Sequence, residues 1–402
     1  MSSPRHPFWT RQLRANLAVA AVTLIVALGA AEVMLRAVLP PWRGYFVLEP
    51  GREWTATSIG PDGPVRAARF HVNALGVRGR PFGDDRAEYR VLAVGGSTTE
   101  CGGLDDSTVW THLLERGLDA TADGRRVWVG NVGRDGTSTR DHVLQVKYLL
   151  AQYPRIDMVV ALVGVNDMMS ALRQGWEYRL PASVTDRSGE NAQVRHAFAI
   201  LPGAVGLPWY KSTGWWQLLK RARLAWRQHA TFRLTDGGTS GLDRARRARR
   251  TVGASIDSLP PLAGPLLEYR RNLNAMVDWA TAAGARVVFV TQPSVWRPEM
   301  ADAEQRRLWF GWVGADWSSA RAYYTTGALS RALAAYNRTL LDVCRERGLG
   351  CVDAARVLQS DSTVFSDDVH FTERGSHLFA AALLAAFRDR PPFRRTRGRG
   401  AG

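Results

Sequence analysis

The stretch Val91-Leu92-Ala93-Val94-Gly95-Gly96-Ser97-Thr98-Thr99-Glu100 decides how the chain is read. An apolar run stops at two glycines and a serine, the pattern of a buried strand entering a tight turn. Glycine admits backbone conformations that a Cβ forbids and clears space beside the next side chain. In an open α/β sheet, sites form outside the C-terminal ends of the strands, so this turn would present the Ser97 hydroxyl where chemistry is done. Gly-Gly-Ser turns are common. The serine gains meaning only if other strand ends supply a base, an acid to orient it and donors for an oxyanion.

Outward from that stretch, Arg90–Val94 reads as the first strand, Arg126–Val129 as the second and Met158–Val163 as the third. Between them, Asp106-Ser107 caps a helix carrying Val109, Leu113, Leu114 and Leu118. Thr139 opens another helix, with Val143, Val146 and Leu150 on one face and Pro154 beyond its end. The alternation predicts an α/β fold, a doubly wound and mostly parallel sheet with right-handed crossovers. It lapses from about Met168 to Pro265. It resumes with a helix over Leu266–Ala283 and a strand at Arg286–Val290, then a helix over Ala328–Arg347, a short strand at Gly350–Val352 and a last helix from Thr372 to Arg388. The expected divisions are a basic N-terminus on the cytoplasmic side (1–14), an apolar membrane helix (15–39), a connector rich in Gly, Pro and Arg (40–87), the α/β domain (88–390) with a cap-like insertion (168–265) and a basic, disordered tail (391–402).

The chain has 402 residues and a formal charge of +16, but only Lys147, Lys211 and Lys220 are lysines. Arginine spread along the whole chain, with no recognisable module, argues against nucleic acid as a partner. Three cysteines, Cys101, Cys344 and Cys351, form no CxxC pair or Cys/His cluster, so a structural metal is not expected. Cys344 and Cys351 are either a disulfide across a helix-to-strand turn or two small buried apolar residues.

Arg5, Arg11 and Arg14 precede an uncharged run from Leu17 to Ala31, and Glu32 and Arg36 follow before Pro40-Pro41. The uncharged core is shorter than the ~20 residues of a comfortable membrane span, and its flanks would have to extend it. An uncleaved signal anchor is one reading. A cleaved signal peptide is the other, with small residues at Ala27-Leu28-Gly29 and Gly29-Ala30-Ala31. The basic flank comes first, which places the rest of the chain on the periplasmic or extracytoplasmic side. The anchor is the favoured reading, giving a single-pass protein of the cell membrane.

Three strand ends thus carry Ser97, the run Asn131-Val132-Gly133-Arg134-Asp135-Gly136 and Gly164-Val165-Asn166-Asp167, and a late loop carries Asp367-Asp368-Val369-His370. In these four blocks the chain resembles the SGNH (GDSL-type) hydrolases, over about Glu88 to Phe387 without the insertions. The resemblance implies the flavodoxin-like fold of that family and a serine esterase needing no metal or organic cofactor. It makes Ser97 the nucleophile, Asp367 and His370 the rest of the triad, and the N–H groups of Ser97 and Gly136 with the amide of Asn166 the oxyanion donors. One departure is plain: Gly96 stands where GDS-type members have aspartate.

The roles fit acyl-transfer chemistry. A serine hydroxyl needs a base within hydrogen-bond reach. His370 would take its proton and return it to the leaving group, and Asp367 would fix the imidazole tautomer. His142 and His377 fall in helical patterns and read as structural or surface residues, and Cys101 is given no role. The insertion holds Trp176, Trp209, Trp215, Trp216 and Trp226. These suit the core of a cap over the site, a platform for sugar rings, or a helix at a membrane surface. Arg244-Ala245-Arg246-Arg247-Ala248-Arg249-Arg250 reads as a solvated helix face or a contact for an anionic polymer or headgroup.

The expected function is hydrolysis of O-acyl groups on a cell-envelope or exported polysaccharide through an acyl-serine intermediate. A lipid esterase, or an O-acyltransferase on the same site, is the nearest alternative. A non-catalytic envelope protein that binds glycans is the alternative of another class. An acylated glycan or lipid and the membrane are the expected partners, and the sequence gives no oligomeric state.

Overall fold

The computed structural model describes residues 7–39, 44–58, 66–83, 87–202, 209–229, 238–388 and 390–393. They fall into two compact units, one built from 1–44 and 201–229, the other from 45–200 and 230–402. The expected tail lies almost wholly outside the described residues. In chain order the elements begin with α1 (Pro7–Val38), β1 (Glu53–Ser58), β2 (Arg66–His71), β3 (Glu88–Gly95), α2 (Ser97–Glu100), α3 (Trp110–Leu118), β4 (Arg126–Asn131), α4 (Thr139–Gln152) and β5 (Met158–Leu162). Next come α5 (Val165–Gln174), α6 (Arg187–Ala197), α7 (Gly214–His229), α8 (Gly238–Thr251), β6 (Ser255–Ile256), α9 (Ala263–Ala282) and β7 (Arg286–Val290). The last are α10 (Asp302–Gln305), β8 (Trp312–Val313), β9 (Ala322–Tyr324), α11 (Thr326–Glu346), α12 (Ala354–Val357) and α13 (Glu373–Arg388).

The larger unit is organised on a parallel sheet of order β4-β3-β5-β7. Every residue of β3 and of β5 is buried, which is why Val91–Val94 and all of β5 read as apolar runs, while Glu88 and Arg90 at the start of β3 are buried charges paired with each other. Leu92 pairs in register with Gly130 on one side and Val159 on the other. The first crossover runs from β3 to β4, and the next passes back across β3 to β5, so the strand order reverses beside β3. Parallel strands joined by right-handed crossovers place their helices on both faces. Accordingly α3 packs with α13, while α4, α9 and α11 form a second group. Val352 extends the sheet by one parallel bridge to Val290, so the strand expected at 350–352 is present only as that bridge.

Two expectations differ from the structure. The connector contains an antiparallel pair, β1–β2, with Trp54 stacked on Phe70 and the Arg78 guanidinium over the Phe70 ring at 4.3 Å. Its loop-like composition hides a strand pair because only a few aromatic side chains cover it. The insertion over 168–265 is not one body. Residues 168–200 and 238–265 belong to the sheet unit, whereas 201–229 group with α1. Trp209, Trp215, Trp216 and Trp226 therefore do not form the core of a cap built on the sheet unit.

Cys344 and Cys351 are joined by a disulfide, with their Cα atoms 6.2 Å apart, across the turn from α11 to Val352. The loop closed is short, for which chain entropy gives about 2–3 kcal/mol. Cys351→Ser is expected to lower unfolding free energy by that amount in denaturant titrations without reductant. With dithiothreitol present the two proteins should coincide, and a difference that persists would assign the loss to packing.

Candidate active site

Ser97 begins α2 immediately after the turn that ends β3. The turn is closed by Thr99 and Glu100, whose N–H groups donate to the Gly96 carbonyl at 3.0 and 2.9 Å. The segment leaving Ser97 is then held from below by Arg78. This guanidinium is 1% exposed, pairs with Asp106 at 2.6 Å and donates to the carbonyls of Glu100, Cys101 and Leu104. The sequence places Arg78 in the connector and gives it no distinguishing mark. Its only advance signal is the run of Phe70, Val72 and Val77 around it, which leaves no solvent for a charge.

The Ser97 hydroxyl lies 2.7 Å from His370 Nε2. The other ring nitrogen, Nδ1, faces both oxygens of Asp367, at 2.9 and 2.8 Å. Asp367 is buried, and its remaining capacity is filled by the N–H groups of Val369 and His370, each at 3.0 Å, and by the indole of Trp309 at 3.0 Å. Burial alone would raise this carboxyl, but His370 and the donors outweigh it and hold Asp367 well below the usual carboxylate range. Burial alone would lower His370, and the Asp367 charge outweighs that and raises it.

Asp368, next in the chain, turns the opposite way. Its oxygens accept from the Trp296 indole at 2.8 Å and from the backbone of Trp309 and Phe310 at 2.8 and 3.2 Å. Burial and the neighbouring Asp367 raise its carboxyl, while the Arg249 charge opposes them. Arg249 reaches the carbonyls of Phe310 and Tyr324. The arginine run on α8 is thus not a uniformly solvated face. Arg246 and Arg249 turn inward onto the segment that carries Trp309, and Arg244, Arg247 and Arg250 remain exposed.

The other two strand ends bring Gly136 and Asn166 to the same edge of the sheet. Gly136 has φ +72°, a conformation that disfavours any side chain. Among the described residues its N–H and that of Ser97 have no protein partner. The Asn166 amide gives one hydrogen to the Thr137 carbonyl at 2.7 Å, and a second remains for a ligand. The glycine at 96 has a local reason. A Cβ there would sit 2.5 Å from Asn166 Nδ2, so the space an aspartate would need is taken by this amide. Asp167 points away, accepting the Thr139 N–H at 3.1 Å and the Thr139 hydroxyl at the start of α4, and burial pushes it up to about 7. His142 is buried 3.2 Å from the Thr137 hydroxyl, and burial lowers it to about 4, so it is a neutral support beneath the turn. His377 is on the surface. Cys101 is buried, and burial pushes its thiol up to about 12.

A cavity of about 530 Å³ opens beside Gly136 and Asn166. Its walls are polar: Arg140 pairs with Glu268 at 2.6 Å, Tyr178 donates to the same Glu268, and the half-exposed His196 lies 2.8 Å from the buried Asp141. These residues were outside the four motif blocks.

The sequence model of the GDSL-like lipase/acylhydrolase family matches residues 93–378. The chain belongs to this family. Family membership makes the protein an ester hydrolase with an α/β fold. Similar solved structures include LAE5, an alpha/beta hydrolase enzyme from the metagenome of Lake Arreo in Spain, 15% identical with TM-score 0.37 over 74% of this chain and 94% of that one. Axe2, an acetylxylan esterase from Geobacillus stearothermophilus, is 15% identical with TM-score 0.37 over 74% and 93%. A member of the lipolytic protein G-D-S-L family from Veillonella parvula is 12% identical with TM-score 0.39 over 74% and 98%. No curated protein matches the sequence.

Two substitutions test whether this cluster is where the acylhydrolase reaction takes place. Trp309→Phe removes a donor from the Asp367 carboxylate, an interaction worth about 1.5–3 kcal/mol, so kcat/KM should fall by roughly 10–100-fold with an unchanged circular dichroism spectrum. Gly96→Asp displaces the Asn166 amide; with Asn166 as an oxyanion donor this should cost about 100–1000-fold in kcat, the usual loss of one such donor. Activity equal to wild type in the second variant would remove Asn166 from the donor set.

Proposed function

We propose that Ser97, His370 and Asp367 are the catalytic triad of a serine esterase. The N–H groups of Ser97 and Gly136 and the Asn166 amide are its oxyanion donors. The observation that carries the proposal is the unbroken hydrogen-bonded line from Ser97 Oγ through the His370 ring to a buried Asp367. His370 takes the Ser97 proton as Oγ attacks the ester carbonyl. The tetrahedral oxyanion forms against the three donors, then collapses as His370 protonates the departing alcohol. Water, deprotonated by His370, hydrolyses the acyl-serine by the same steps in reverse. Asp367 keeps the ring in the tautomer with Nδ1 protonated and compensates its charge in each transition state.

The substrate in this reading is an O-acyl group on a cell-envelope or exported polysaccharide. The polar cavity beside the donors suits a hydroxyl-rich leaving group better than a lipid chain. Export is supported by α1, whose Arg11–Val38 stretch contains an apolar window of mean hydropathy 2.3 with no buried residue, and by the Cys344–Cys351 disulfide, which persists in an oxidising compartment. In this reading α1 is an uncleaved anchor and the sheet unit is extracytoplasmic.

The full chain in detergent should be labelled by a fluorophosphonate probe and release acid from acetylated glycans faster than from lysophospholipids. Ser97→Ala should abolish labelling and lower turnover by at least about 10⁴-fold. Undiminished labelling would overturn the mechanism, faster lysophospholipid hydrolysis would move the substrate to lipids, and glycan binding without turnover would leave only a binding protein.

The pH profile supplies a further test. The base must be neutral, and Asp367 raises His370 above its ordinary value, so kcat/KM should fall as pH drops through that raised value. Asp367→Asn should move this acid limb to lower pH while cutting kcat by about 10⁴-fold. An acid limb that stays in place would detach Asp367 from the titrating ring.

A further inference from the structure

The smaller unit contains a feature the catalytic reading leaves unused. In α7, Trp215, Leu218, Leu219, Ala222 and Trp226 recur at helical spacing on one side, and all are exposed, Leu219 at 63% and Trp226 at 73%. Trp209, just before the helix, is 80% exposed. The opposite side carries Gln217, which is buried, and the half-buried Trp216. An amphipathic helix of a soluble domain buries its apolar stripe, and this one presents it outward.

The start of α7 is fastened to the far end of α1. A Cβ on Gly214 would meet Leu35 Cβ at 2.6 Å and the Arg36 backbone nitrogen at 3.0 Å, so only glycine permits this approach. Glu32 of α1 accepts the Gly214 N–H at 2.8 Å and the Trp215 N–H at 3.2 Å, capping α7, and also pairs with Arg36 at 2.6 Å. A carboxylate at a helix N-terminus is favoured by the free N–H groups and the helix dipole. This gives Glu32, otherwise an unexplained acid at the end of an apolar run, a definite task.

From these observations we propose that α7 lies on the outer surface of the bilayer that α1 crosses, docked to α1 through Glu32 and Gly214, with its Trp–Leu stripe in the interface. Residues 209–229 contain Lys211, Lys220, Arg221, Arg223 and Arg227 and no acidic residue, which matches a surface of anionic phospholipid headgroups. Tryptophan suits this depth because its ring is apolar and its N–H finds water or headgroup oxygen. The helix is thus an in-plane companion to the anchor, and this assignment rests on the reading of α1 as a membrane span.

Cys101 is buried and the other two cysteines are bonded, so one introduced cysteine can be labelled specifically. The full chain is prepared as Trp226→Cys, Ile25→Cys or Val357→Cys, labelled with NBD and placed in vesicles of phosphatidylcholine and phosphatidylglycerol. Quenching is read with headgroup-level and deep spin-labelled lipids and with aqueous iodide. The Ile25 label should respond to the deep quencher and the Val357 label to iodide alone. The Trp226 label should respond several-fold more to the headgroup-level quencher than Val357 does, and this response should fall in Glu32→Gln and Gly214→Leu while Ile25 stays unchanged. An Ile25 label open to iodide would overturn the membrane span itself. With Ile25 in lipid, a Trp226 label as open to iodide as Val357 would overturn the surface helix. One shielded from both quenchers would give the stripe to protein, including a second copy of the chain, and would equally overturn it. A Trp226 response unaltered in both docking variants would overturn the roles of Glu32 and Gly214.

Discussion

Two adjacent carboxylates, Asp367 and Asp368, are buried side by side, and the site depends on how that repulsion is settled. Asp367 is given the His370 ring as partner and three further donors, the N–H groups of Val369 and His370 and the Trp309 indole, so it is held ionised. Asp368 receives an indole and two backbone donors, with the Arg249 charge opposing its rise. Burying an isolated charge costs several kcal/mol, and each pair here is compensated separately. Trp309 serves both, with its side chain on Asp367 and its backbone on Asp368. Moving it would disturb the orientation of the His370 ring and the loop that carries it. The segment from Trp296 to Phe310, which has little regular structure, is in effect the fixed wall against which the base is set.

The second constraint is topological. Ser97 and His370 are 273 positions apart, yet they meet because parallel strands deliver every loop to one edge. This explains why much of the fold and the arrangement of the site were legible before any coordinates. The buried stretches of β3, β5 and β7, Val91–Val94, Met158–Leu162 and Val287–Val290, read as apolar runs, with β7 bounded as expected at Arg286–Val290. Three of the four short blocks fall at strand ends and the fourth in a loop, because only there is backbone free to take unusual conformations, as Gly136 does.

What stayed illegible shares a physical cause. Arg78, Trp309 and Arg249 act through contacts between segments distant in sequence, and nothing in local periodicity marks them. An arginine inside a basic run is indistinguishable from its solvated neighbours until Phe310 and Tyr324 are placed beside it. The division of 168–265 between two units was hidden for the same reason. The helical pattern of α7 shows an apolar stripe, and only the packing of Gly214 on Leu35 tells which body it joins. The pair β1–β2 was missed because its strands present few apolar residues, so alternation was too faint to count.

The glycine at 96 joins these lines. Relatives of the GDS type place a carboxylate next to the nucleophile, and here the same space belongs to the Asn166 amide, whose position is fixed by the Thr137 carbonyl. Thr137 in turn is braced by buried, neutral His142 and by the carbonyls of Gly95 and Arg134. Among the described residues the N–H groups of Ser97 and Gly136 have no protein partner beside it, a cost that the proposed oxyanion would recover by accepting from them. Three donors held apart from one another by a left-handed glycine and a missing Cβ cannot satisfy themselves by collapse. In the proposed mechanism the absence of a side chain at 96 is therefore part of how the donors are preorganised, and it ties this departure from the GDS pattern to the electrostatics of the reaction.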